Sequence, residues 1–134
     1  MQSTLMIVSA LHVLPAVFWA GATFVLARAG GAGAERLAFP QLGAAAVTVV
    51  AGGALWGLLH RGGFGAMERL LAVGAACAIA AAGLQALSLP AVRDLRTAGE
   101  AGAAVARRKI AVTQRIAAGL LAVAVVCMTV SRYA

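Results

Sequence analysis

Only four of the 134 residues are acidic, Glu35, Glu68, Asp94 and Glu100, and all four fall in connections or at the ends of apolar runs. That scarcity excludes much chemistry at once. Carboxylate proton relays, acid–base catalysis by a carboxylate pair and a serine–histidine–acid triad all lack their groups inside the apolar segments. Charge of either sign is scarce, at 11% of residues, and there are only two cysteines. Cys77 and Cys127 sit at different depths of separate runs, so no disulfide framework is expected. Missing too are the alternating apolar and polar faces of a soluble domain.

What is present is apolar: 63% of residues are hydrophobic, gathered in four runs. Each run is long enough to cross ~30 Å of hydrocarbon at about 1.5 Å per helical residue. We therefore expect an all-α integral membrane protein, a four-helix up-down-up-down bundle. It would be a single transmembrane domain over residues 1–134, with helices near 4–27, 39–60, 69–89 and 108–131. No Lys or Arg precedes the first run, which is longer than a secretory apolar core, so it reads as a retained helix. The short connections make successive helices antiparallel neighbours.

Local signals refine this plan. Gly30, Gly31 and Gly33 are expected to make the first connection flexible, and Pro40 suits the first turn of the second helix. Pro90 is expected to close the third helix. Thr97-Ala98-Gly99-Glu100 has capping-box spacing, so the fourth helix is expected to begin outside the membrane, with Arg107, Arg108 and Lys109 on a protruding turn. A mobile basic loop is the alternative. The Gly74-Ala75-Ala76-Cys77-Ala78 and Ala80-Ala81-Ala82-Gly83 stretches allow close helix packing. They would equally suit a homodimer contact or a flat cofactor.

The net charge of +7 is unevenly placed. Arg28, Arg36, Arg93, Arg96, Arg107, Arg108, Lys109 and Arg115 fall on one side, against Arg61, Arg69 and Arg132 on the other. The excess of positive charge predicts a bacterial-type inner membrane protein with both termini extracytoplasmic. It implies contact with anionic lipid headgroups and not with nucleic acid. Membrane lipid is the expected partner, together with a homo-oligomer or a larger membrane complex.

His12 lies well inside the first run, where an ionisable side chain needs a partner. At about 100° per residue, Leu5, Ser9, His12, Ala16, Trp19 and Thr23 share one face, which should turn to the bundle interior. Trp19 thus joins His12 as a cofactor-facing candidate. Pro15 denies a hydrogen bond to the Leu11 carbonyl, so a kink or a free carbonyl is expected beside His12. His60, one turn after Trp56, ends the second helix, either as an interfacial residue or as a ligand. The isolated hydroxyls Ser9, Thr48, Ser88 and Thr129 are expected to bond their own backbone.

Met1, Met6, Met67, Cys127 and Met128 fall in the same half of the bundle as His12 and His60. Imidazole with soft sulfur is the ligand set that Cu(I) selects, so His12, His60, Met6, Met67 and Met128 are candidate copper ligands. Haem b is the alternative cofactor, with His12 axial and His60 as a second ligand. The run ends put His60 nearer the surface than His12 by roughly 6–9 Å, which favours His12 as a single ligand or a haem shared by two chains.

Leu11-His12 followed by Trp19-Ala20-Gly21 resembles the first-helix pattern of CopD-like membrane proteins, the copper-resistance D family. Phe39-Pro40-Gln41-Leu42 and the ending Met128-Thr129-Val130-Ser131-Arg132-Tyr133 also look like small members of that family. The resemblance implies copper handling at the extracytoplasmic face and carries a role to His12 alone. HemJ-type protoporphyrinogen oxidases share the four-helix plan and a haem-associated first-helix histidine, but this chain lacks their lysines near that histidine and in the third helix. Three readings follow: a protein binding or relaying copper through His12, a b-type haem protein with quinone or superoxide as redox partner, and a structural subunit whose His12 only bonds a neighbouring backbone group.

Overall fold

The computed structural model describes residues 1–60 and 62–134. Its helices are α1 (Gln2–Arg28), α2 (Ala34–Leu59), α3 (Ala66–Leu87), α4 (Leu89–Thr97) and α5 (Glu100–Val130), closed by a single 3₁₀ turn, Ser131–Tyr133. No strand occurs among the described residues. Four stretches are long and apolar enough to cross a membrane: α1, α2, α3 with its continuation α4, and α5. The expected all-α, four-helix membrane architecture is the one observed. Both termini lie at one end, here the terminal end, and the α1–α2 and α4–α5 connections lie at the other, the basic end. Arg61, one of three basic residues expected at the terminal end, lies outside the described residues.

The helices form a ring in chain order, α1 beside α2, α2 beside α3, α3 beside α5 and α5 beside α1, with α2 and α3 touching least. Side-chain size explains how closely they pack. Most of the buried apolar residues are alanines: Ala45, Ala78, Ala81, Ala117 and Ala124 surround Trp19 and Leu121 in one cluster. A second cluster, at the basic end, joins Leu26, Ala34, Ala38, Ala91, Val92, Ala106 and Ile110. Large residues such as Leu14, Val50, Ile79 and Val125 point outward. In lipid this inversion is favourable, because outward Leu and Val lose nothing while small inward residues let backbones approach. Gly74 shows the closeness: a Cβ there would stand 3.2 Å from the Ala124 carbonyl and 3.3 Å from Cys127 Cβ on α5. The small-residue stretch of α3 is thus spent, at Gly74, Ala78 and Ala81, on packing within the chain.

Several local expectations are corrected. Pro40 is the seventh residue of α2, not part of its first turn, because the helix already starts at Ala34. Glu35 stands in that added first turn, where the helix dipole favours an acid, and the Arg96 guanidinium donates to the Glu35 carbonyl at 2.7 Å. Pro90 does not close α3 but opens α4, where a missing N–H is harmless; α3 ends at Leu87, and Ser88 bridges the two helices. The Thr97 capping box does not form: Thr97 ends α4 with its hydroxyl on the Arg93 carbonyl, and the N-cap of α5 is Gly99. The early start of the last helix holds, at Glu100. A carboxylate reaching back to cap a helix is found instead at α3, where Glu68 accepts the Gly65 N–H at 2.8 Å.

The first connection is a defined turn. Gly30, Gly31 and Gly33 have φ of +62°, +84° and +86°, the left-handed region that L side chains resist. A Cβ on Gly31 would lie 2.8 Å from the Arg107 carbonyl of α5, whereas one on Gly33 would meet nothing within 4 Å. Gly33→Ala should therefore lower unfolding free energy by the left-handed strain alone, about 1–2 kcal/mol. Gly31→Ala should cost about 1–3 kcal/mol more through overpacking against α5. Unfolding in mixed micelles checks this, and equal losses would show that the turn is not docked on α5.

Candidate functional site

The interior holds one polar layer built from all four crossing helices. Trp19 Nε1 donates to Gln85 Oε1 at 2.7 Å. The Gln85 amide donates to Thr23 Oγ1 (3.0 Å) and Gln114 Oε1 (3.1 Å). Gln41 donates to Thr23 Oγ1 (2.8 Å) and Gln114 Oε1 (3.1 Å), and receives a 3.1 Å bond from the Gln114 amide in return. The Thr23 hydroxyl closes the set on the Trp19 carbonyl at 2.7 Å. Trp19 to Gln85 spans the α1–α3 diagonal of the ring and Gln41 to Gln114 the α2–α5 diagonal. Every donor but one Gln114 amide hydrogen is used. The layer therefore offers a ligand almost nothing, and Trp19, 2% exposed, is held as a structural member of it.

Sequence reasoning placed Trp19 and Thr23 on the inward face but passed over the glutamines. Their signal was available. Apart from Gln2, each glutamine is the lone amide of a different crossing helix, and a lone amide in hydrocarbon must find a partner across the bundle.

His12 lies on the same inward stripe, nearer the terminal end and half-buried. Its Nδ1 is 2.8 Å from the Thr48 carbonyl of α2. A carbonyl only accepts, so Nδ1 carries the hydrogen, and in the neutral ring Nε2 is left as the lone-pair nitrogen. The ring lies against Gly52, where a Cβ would stand 2.9 Å from His12 Cε1. Two features of α2 thus set the imidazole's tautomer and its plane. Thr48 contributes a further oddity. It is only 5% exposed, and its buried Oγ1 has no hydrogen-bond partner, although Ser88 and Thr129 bond their own helix backbone as expected.

The other candidates are separated from His12. His60 is eight residues beyond Gly52 and twelve beyond Thr48 along α2, so it lies roughly 12–18 Å nearer the terminal surface. That exceeds the expected offset, because α1 pairs His12 with the middle of α2 and not with its last turns. His60 stacks on Trp56 at 5.0 Å between ring centroids, Trp56 meets Phe64 at 6.2 Å, and the buried His60 Nδ1 has no partner. Met6 is 67% exposed and about 120° round α1 from His12. Met67 starts α3; levelling Gln85 with Trp19 puts it roughly 16 Å beyond His12, near the depth of His60. Met128 packs on Gly74, its Cγ 3.5 Å from where a Cβ would stand, roughly 6 Å beyond His12. Among the described residues, no three His, Cys, Asp or Glu side chains cluster as a metal site.

Gln85→Leu strands the buried Trp19 N–H and should lower stability by about 1–3 kcal/mol, with Trp19→Phe in the same chain recovering part of the loss. A thermal-unfolding double-mutant cycle checks it; strict additivity would mean the two side chains are not coupled. In comparisons with known proteins, no family model, curated protein or solved structure matches this chain.

Proposed function

We propose that this multi-pass membrane protein binds a metal centre through Nε2 of His12. The observation that carries the reading is the His12 Nδ1–Thr48 carbonyl bond. Metal-ligating histidines are held in this way, with one nitrogen donating to a carbonyl so that the other faces the metal in the right tautomer. Gly52 reinforces it by setting the ring plane.

One pre-oriented imidazole in a carboxylate-free interior is a residue that would hold haem b through its iron. Haem iron would supply one-electron redox chemistry when bound; His12 would be its ligand, with the Thr48 carbonyl keeping the proton on Nδ1. One iron would not bridge His12 and His60 of the same chain, whose depths differ by roughly 12–18 Å. Copper is the second reading, favoured by soft donors at two levels, His60 and Met67 near the surface and Met128 closer to His12. It fits the CopD-like resemblance and a relay of Cu(I) by ligand exchange. The charge asymmetry supports a bacterial-type inner membrane with the terminal end extracytoplasmic.

Protein purified from haem- and copper-replete cells is expected to show an intense Soret band or, on the second reading, stoichiometric copper, either one lost in His12→Ala. Gly52→Ala should weaken occupancy about 10- to 100-fold by displacing the ring. A colourless, copper-free protein, or His12→Gln with full function and co-purifying partners, would replace this reading with a structural subunit.

A further inference from the structure

At the basic end, α4 and the first turns of α5 enclose a groove of about 390 Å³ that the metal reading does not use. Pro90, Ala91, Val105 and Ala106 make its walls apolar, and two charged side chains line it, Asp94 and Lys109. Both are exposed. The helices converge at its outer end, where Ala98 and Gly102 line it and a Cβ on Gly102 would lie 2.7 Å from Ala98 Cβ.

The order of the two charges along the membrane normal is informative. Lys109 is five residues from Gln114 and Pro90 five from Gln85, so both lie roughly 7–8 Å from the polar layer. Asp94 is nine residues from Gln85, roughly 13 Å out. The groove therefore runs outward over roughly 6 Å from Lys109 to Asp94, a span comparable to the headgroup layer, which is about 5–7 Å deep on each side. Its cation is the deeper charge and its anion the shallower.

We propose that this groove binds a phospholipid whose headgroup carries a hydrogen-bonding ammonium, phosphatidylethanolamine. The phosphate of such a lipid sits beside the glycerol, at the depth of Lys109, and its ammonium lies farther out, where the Asp94 carboxylate accepts its N–H groups. The apolar walls receive the glycerol and the first methylenes. A choline headgroup has the same charges but no N–H to donate. An anionic glycerol headgroup gains from Lys109 and the neighbouring arginines Arg93 and Arg108, but places its negative charge in a groove that also holds Asp94.

The test is mass spectrometry of lipid adducts kept by the intact protein after exchange from mixed vesicles of phosphatidylethanolamine, phosphatidylcholine and phosphatidylglycerol with matched chains. Ethanolamine lipid is expected over choline lipid by about three- to fivefold, the ratio one exposed charged pair supports. Asp94→Asn should abolish that preference, Lys109→Gln should weaken retention of all three lipids, and Arg132→Gln at the terminal end should change nothing. Helical content by circular dichroism confirms folding of each variant. Equal retention of ethanolamine and choline lipids overturns the proposal. So does a glycerol-lipid preference that Asp94→Asn strengthens, which would make the region a basic patch only. Unchanged adducts in the Asp94→Asn/Lys109→Gln double variant would also overturn it.

Discussion

The reciprocal hydrogen bonds of Gln41, Gln85 and Gln114 with Trp19 and Thr23 are the constraint on which the rest of the bundle depends. In hydrocarbon an amide has no water to turn to, so its alternatives are a partner on another helix or a penalty of several kcal/mol. Because the five side chains come from four different crossings and span both diagonals, satisfying them sets the depth of every helix at once. A slip of one helix by a single residue would turn its amide about 100° away and break two or more bonds. Apolar packing between alanine faces could tolerate such slips far better. The register that brings Thr23 to Gln41 is the same register that lays His12 on Thr48 and Gly52.

Packing then decides how much of each helix is covered. All five buried residues of α1 lie between Trp19 and Ala27, and the half running to the N-terminus has none. Toward the termini α1 is less covered, while α3 and α5 stay in close contact there at Gly74 and Ala124. His12 sits on that less covered stretch of α1, half-buried, with Nδ1 held by the Thr48 carbonyl. The polar layer is nearly complete in its bonding and acts as scaffold. The two ends are chemically distinct: histidine and sulfur groups gather toward the termini, while most of the cations crowd the other end with the groove between α4 and α5.

Much of this was legible in the chain, for identifiable reasons. Run length against bilayer thickness establishes four crossings, and a period of 3.6 places His12, Trp19 and Thr23 on one inward face. The rule that a lone hydroxyl bonds its own helix holds for Ser88 and Thr129 and fails for Thr48. The first connection is less legible in the sequence. Three nearby glycines suggested freedom, whereas their positive φ values and the Arg107 carbonyl above Gly31 make a docked turn. Local rules put Pro40 in a first turn and Pro90 at the close of a helix, whereas α2 begins a turn and a half earlier, at Ala34, and the chain resumes helix after Ser88.

The sequence by itself determined the class of protein, the number of crossings, the inward stripe of α1 and the lack of interior acids, because hydrophobic length and helical period act within one segment. Only the tertiary structure decided which groups meet: that Trp19 is bound to Gln85, that His12 presents Nε2, and that His60 and Met67 lie several turns away. Those outcomes depend on the relative depth of separate helices. Depth is fixed by interhelical hydrogen bonds and close backbone approach, and neither is written in any one helix.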